Sequence, residues 1–158
     1  MLTRVWYRRR LLRFGPTTRC ALTLFLRRIE RLNPQLHAFL LTVPDSALDA
    51  AKAAEEAEMR SDTLGPLHGL PLPIKDTQMT KGIRTTSGSV VFKDRVPERD
   101  AAVVERVRQA SAVILGKTNV PEFGMVGNCQ NSIGPTGCNP WNTNCTPGGS
   151  SGGTGAAV

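Results

Sequence analysis

GLPLPIKD, residues 69–76, sets Leu70, Leu72 and Ile74 in alternation with Pro71, Pro73 and Lys75. A period of two predicts a strand with one buried face. The two prolines cannot donate to a ladder, so they put that strand at a sheet edge or at a strand entrance. Downstream, AVIL (112–115) is a short apolar run of the kind buried on both faces, and between the two lies a helical pattern. Asp100 is placed to cap that helix, which the spacing carries through Ser111 with Val103, Val104, Val107 and Ala110 on one face.

Upstream, Leu22, Phe25, Leu26, Ile29 and Leu32 recur at helical spacing from Thr17, and Asn33-Pro34 is expected to end the run. Residues 38–43 then form a second short apolar stretch. Asp45 is positioned as the N-cap of the alanine-rich helix in DSALDAAKAAEEAEMR. Residues 61–69 and TKGIRTTSGS (80–89) are loop, and Pro121 is expected at the first position of a helix beginning at 121–125. From Val126 to Gly149 the chain is rich in Gly, Pro, Asn, Cys and Thr, and a structureless stretch of that length inside a domain is usually functional. Alternating strands and helices give an α/β class.

At 158 residues, with 40% apolar and 21% charged residues, the chain has the length and composition of one globular domain. No apolar run reaches the length of a membrane span. The formal charge of +7 comes from the N-terminus: Arg4, Arg8, Arg9, Arg10, Arg13, Arg19, Arg27 and Arg28 all precede the first acid, Glu30, and the remainder is almost neutral. That distribution argues against a nucleic-acid-binding surface on the body of the domain. Residues 1–14 are expected to be a basic extension, and their composition also fits an organelle transit peptide. Otherwise the expected location is the cytoplasm, with Cys20, Cys129, Cys138 and Cys145 as reduced thiols. Neither these cysteines nor His37 and His68 fall at metal-ligand spacing, so no metal site is expected.

Two glycine-rich motifs fail on inspection. Gly116-Lys117-Thr118 looks like the tail of a phosphate-binding loop, but the glycine such a loop requires at position 111 is Ser. GGTGAAV (152–158) has no strand leading directly into it, so it is not a dinucleotide fingerprint. What remains is a lysine on a strand and CTPGGSSGGTG (145–155). A serine hydroxyl becomes nucleophilic when a base takes its proton, and a lysine serves as that base only when neutral, which a covered site favours. Glycines around a hydroxyl let backbone approach a substrate. Neither piece is decisive alone, because a strand lysine is ordinarily a solvated edge residue and a Gly/Ser run is ordinarily a linker.

Taken together, four collinear blocks resemble the amidase signature family. They are GPTTRCALTLFLRRIERLNPQLHAFL (15–40), GPLHGLPLPIKDTQMTKGIRTTSGS (65–89), ILGKTNVPEFGM (114–125) and NPWNTNCTPGGSSGGTGAAV (139–158). The resemblance implies a mixed β-sheet flanked by helices, of which residues 15–158 are the N-terminal part, incomplete at the C-terminus. It also implies a Ser–Ser–Lys triad without metal or cofactor. Lys75 corresponds to the general base, and Ser150 to the bridging serine after a cis peptide bond from Gly149. Gly124, with Ser150, corresponds to part of the substrate pocket. Read as residues, Ser151 is a backbone or side-chain hydrogen-bond support, and Asp76, beside the lysine, braces the loop rather than titrates.

In the family the attacking serine lies in a second glycine-rich segment beyond this stretch, whose backbone N–H groups form the oxyanion hole. The 158 residues alone are therefore expected to be inactive, with open strand edges and uncovered helix faces. The activity implied is hydrolysis of a small-molecule carboxamide, with no membrane or nucleic-acid partner and a homodimer as the full-length form. Two alternatives stand beside it: the glutamine-hydrolysing subunit of a tRNA-dependent amidotransferase, and a catalytically silent fragment. That subunit usually has asparagine after the lysine–aspartate pair, whereas this chain has Thr77, which tilts the reading toward a general amidase.

Overall fold

The computed structural model describes residues 18–60 and 63–158; the basic extension and its targeting role lie outside them. Helix α1 (Thr18–Leu36) leads into strand β1 (Phe39–Thr42), helix α2 (Pro44–Met59), strand β2 (Pro71–Lys75), helix α3 (Ala102–Gln109), strand β3 (Val113–Thr118) and a short helix α4 (Gly152–Ala157). The sheet has the order β1-β3-β2, with β1 antiparallel and β2 parallel to β3. It is the mixed α/β arrangement expected. Among the described residues the proline-bearing strand β2 is at an edge of this sheet, where a missing N–H costs no ladder bond. No helix among the described residues is long and apolar enough to cross a membrane.

Strand β3 is buried at every position. Val113 and Leu115 pack with Leu22, Phe39, Ala47 and Ala51 beneath α1 and α2, whereas Ile114 packs with Ile74, Ile83 and Val104 beneath α3. A bulge interrupts the alternation: Leu72 pairs with Ile114 but Pro73 pairs with Gly116, so Leu115 is an extra residue on β3. A one-residue insertion exchanges the faces of everything after it. Lys117 is thereby turned to the side of Ile114 and Ile83, away from that of Val113 and Leu115.

Several local expectations give way to tertiary structure. Pro34 lies inside α1, which continues through Leu36 and ends with His37 in the left-handed conformation, its N–H on the Asn33 carbonyl at 2.8 Å. Asn33 is a connector: its side chain accepts from the Phe39 N–H at 2.8 Å and donates to the Phe39 carbonyl at 3.0 Å, pinning the start of β1. Asp45 is not an N-cap, because Val43 holds that position with Pro44 in the first turn. Nor is Asp100. Its carboxylate accepts from the Lys81 N–H at 2.6 Å and pairs with Arg108 at 2.9 Å, leaving Ala101 to cap α3. Val104 is fully buried, but Val103 faces solvent, so the apolar face of α3 is narrower than the spacing predicted. After Pro121 there is one 3-10 turn (Glu122–Gly124) and no helix. The stretch from Val126 to Gly149 forms no helix or strand.

At Gly116 the sheet leaves no room for a side chain, since a Cβ there would sit 2.1 Å from the Leu41 carbonyl oxygen. Gly116→Ala is therefore expected to cost about 3 kcal/mol or more, whereas Gly127→Ala, with nothing within 4 Å, stays within about 0.5 kcal/mol. Urea unfolding of the gene-encoded protein checks both; equal midpoints for the two variants would contradict the packing described.

Candidate active site

Lys75 is the last residue of β2, and its Nζ donates to the Ser150 Oγ at 2.7 Å across 75 residues of chain. Both side chains are half-buried. The Gly149–Ser150 peptide is cis, as the resemblance implied. Gly124 joins them: a Cβ at this position would lie 3.5 Å from Thr77 Cγ2 and 3.7 Å from Ser150 Oγ. The structure thus brings Lys75, Ser150, Gly124 and Thr77 to one place, from the end of β2, the turn after it, the 3-10 turn and the glycine-rich segment.

The glycine-rich segment is held from below. Gly149 lies against the Asn128 backbone, where a Cβ would come within 2.2 Å of its carbonyl oxygen. Asn119, fully buried after β3, organises the surroundings. Its N–H donates to the Ala38 carbonyl at 2.8 Å and its own carbonyl accepts from the Gly153 N–H at 3.0 Å. Its side-chain amide donates to the His37 and Pro135 carbonyls at 2.8 and 3.1 Å and accepts from Asn131 at 2.6 Å. Cys129 packs beneath the start of α4, and burial pushes its thiol pKa up, which suits a packing residue better than a nucleophile. Ser151 contributes through its backbone: its carbonyl accepts from the Gly155 N–H at 3.0 Å, and its side chain makes no capping bond.

Asp76 is 1% exposed. Its Oδ2 accepts from the Thr86 N–H at 3.0 Å and from the Thr86 hydroxyl at 2.5 Å, and the Ser87 N–H donates to its backbone carbonyl at 3.2 Å. The carboxylate therefore folds the loop after β2 back on itself, as a brace. Behind it lies a residue that sequence reasoning dismissed with the phosphate-loop motif. Lys117 is completely buried, donating to the Gln78 carbonyl at 2.5 Å, the Thr80 hydroxyl at 2.8 Å and the Thr85 hydroxyl at 3.1 Å. Asp76 Oδ1 is 4.0 Å away. Burial lowers the Lys117 pKa to about 8, opposed by the attraction of Asp76. Among the described residues, no three His, Cys, Asp or Glu side chains gather as metal ligands.

Chemically, the arrangement pairs an amine with a hydroxyl at proton-transfer distance, beside a surface kept open by Gly124. A 2.7 Å separation between Nζ and Oγ meets the distance that proton transfer between an amine and a hydroxyl requires.

A family model described as Amidase matches residues 21–158. The chain is 48% identical over 133 residues to the A-subunit of glutamyl-tRNA(Gln) amidotransferase from Dehalococcoides mccartyi, an alignment covering 84% of this chain and 27% of the relative. Among solved structures it is similar to native peptide amidase from Stenotrophomonas maltophilia, with a TM-score of 0.85 and 31% identity over 96% of this chain and 32% of that one. It is also similar to the corresponding glutamyl-tRNA(Gln) amidotransferase chain from Thermotoga maritima, with a TM-score of 0.70 and 32% identity over 86% and 27% of the two chains. The chain thus spans about a quarter to a third of the length of these relatives.

The packing at Gly149 makes a direct forecast. Gly149→Ala must displace the backbone that carries Ser150, and a crystal structure of the variant is expected to show Nζ and Oγ beyond about 3.5 Å, outside hydrogen-bonding range. Ser151→Ala, whose side chain supports no cap, leaves the 2.7 Å contact in place.

Proposed function

The chain belongs to the amidase family, and on that premise we propose that it carries the lysine base and bridging serine of the glutamine-hydrolysing A-subunit of a glutamyl-tRNA(Gln) amidotransferase. The observation that carries this reading is the 48% identity to such a protein across 84% of the chain. It reverses the preference drawn from Thr77, because a single position weighs less than agreement along 133 aligned residues. On this reading residues 15–158 are the N-terminal part of the amidase domain. The substrate is the carboxamide of glutamine, the setting is the cytoplasm, and companion subunits with a tRNA-bound acceptor replace a homodimer.

In the proposed mechanism, neutral Lys75 takes the Ser150 hydroxyl proton while Ser150 takes the proton of the attacking serine. That serine belongs to the second glycine-rich segment of the family. Its alkoxide adds to the amide carbon, the C–N bond breaks, and the proton returns through Ser150 to the departing ammonia. Water then gives its proton through Ser150 to Lys75 as it attacks the acyl carbon, and that proton returns through Ser150 to the serine oxygen as the acyl–oxygen bond breaks and the carboxylate leaves. Gly124, with Ser150, lines the surface on which the amide lies, where a larger side chain would compete for the space beside Thr77. No step requires a cofactor.

A stand-alone amidase acting on simple carboxamides is the second reading, favoured by Thr77 and by the closer backbone superposition on the peptide amidase. Ammonia release separates the two. The gene-encoded protein is expected to hydrolyse glutamine only with its companion subunits; release from simple amides without them selects the stand-alone enzyme. In either case Lys75→Ala and Ser150→Ala are expected to lower kcat/KM about 10³-fold or more. Activity retained in both variants would remove the relay from the account.

A further inference from the structure

Lys117 does not touch the Lys75–Ser150 pair, yet two hydrogen bonds connect it to Lys75. Its Nζ donates to the Gln78 carbonyl at 2.5 Å, and the Gln78 N–H donates to the Lys75 carbonyl at 2.9 Å. The peptide groups between them form the turn by which the chain leaves β2. Lys117 also holds the far side of the same loop through Thr80 and Thr85.

The socket around Nζ has the stoichiometry of an ammonium. The Thr80 hydroxyl spends its proton on the Gln78 carbonyl at 3.1 Å, and the Thr85 hydroxyl spends its proton on the Ile83 carbonyl at 3.0 Å. Both therefore face Lys117 as acceptors. With the Gln78 carbonyl they make three acceptors for the three N–H groups of a protonated lysine. A neutral amine supplies two, so deprotonation leaves one of these three buried hydrogen bonds unmade.

We infer that Lys117 is a positioning residue for Lys75, a buried ammonium whose three donors fix the turn that delivers the base to Ser150. The inference rests on the amide-hydrolysis reading for its kinetic consequence only. Asp76 attracts the charge from 4.0 Å, Asp100 adds to that attraction, and Arg95 opposes it. Burial outweighs them and lowers the pKa to about 8. The proton is thus bound at neutral pH and lost on moderate alkalinisation, before an ordinary lysine would titrate. As it leaves, the turn loses a donor, and the Lys75–Ser150 contact is expected to loosen.

The test is an NMR titration of the gene-encoded protein carrying lysine labelled with carbon-13 at Cε, with the two signals assigned by their loss in Lys75→Arg and Lys117→Met. In the unmodified protein the Lys75 signal is expected to show an inflection coinciding with that of Lys117. Lys117→Met abolishes this inflection. Thr85→Val removes one acceptor while keeping the branched shape, so it moves the inflection to lower pH and decides the matter if Lys117→Met does not fold. A Lys75 curve of the same shape in the unmodified protein and both variants would overturn the inference.

Kinetics provide a separate arm. The kcat for amide hydrolysis is expected to fall along the Lys117 titration, to fall at lower pH in Thr85→Val, and to be about 10²-fold lower in Lys117→Met with KM little changed. Uniform loss across pH in both variants signifies a merely structural lysine and contradicts the inference. If the two lysine signals remain coupled while the unmodified protein, assayed together with its companion subunits, turns over no amide at any pH, the positioning role stands and the functional reading falls.

Discussion

A single hydrogen bond between Lys75 and Ser150, 2.7 Å long and closing 75 residues of chain, is the contact for which the rest of the structure provides support. Closing so long a loop costs entropy that one solvent-accessible contact cannot offset. Both ends must be delivered by structure that is stable for other reasons. One end is delivered by β2, which pairs with the fully buried β3. The other is delivered through Asn119, which follows β3 and binds the start of α4. Lys75 and Ser150 thus hang from one strand system, which apolar clusters pack on both faces.

The same sheet carries a charge in its interior. A buried ammonium is expensive unless its donors are satisfied and a counter-charge is near. Lys117 meets the first condition fully, with three acceptors, and the second partly, with Asp76 at 4.0 Å. An apolar side chain could fill the volume but could not hold the Gln78 carbonyl and two threonine hydroxyls at once. The loop from Asp76 to Ser89 has no regular secondary structure beyond an isolated bridge between Thr80 and Ile83. Lys117 and Asp76 supply the order that backbone pairing would otherwise give. Lys75 therefore ends a strand whose continuation is fixed by polar contacts behind it.

The pattern of apolar residues made β2 legible as an edge strand and β3 as a buried one, because period and proline placement act locally. The resemblance, carried by four collinear blocks, pointed to Lys75, Ser150 and Gly124, and the place of Asp76 beside the lysine pointed to a brace. What sequence could not show is whatever depends on partners distant in the chain. Asp45 and Asp100 have cap-forming chemistry, but Pro44 starts α2 one residue earlier and Asp100 is drawn to Lys81 and Arg108. Lys117 was hidden twice, once by its likeness to a phosphate-loop lysine and again by the bulge at Leu115, which turns it to the other face. Its one local signal was a lysine continuing directly from a buried apolar strand.

On the proposed reading a proton passes from the attacking serine through Ser150 to Lys75, two transfers in one step. A proton inventory of kcat/KM in mixed light and heavy water, for glutamine hydrolysis by the gene-encoded protein with its companion subunits, tests this transfer. The account predicts a curved dependence on deuterium fraction, the signature of two protons in flight, which becomes linear when Ser150 is replaced by alanine. A linear inventory in the unmodified protein would show a single transferring proton and contradict the relay.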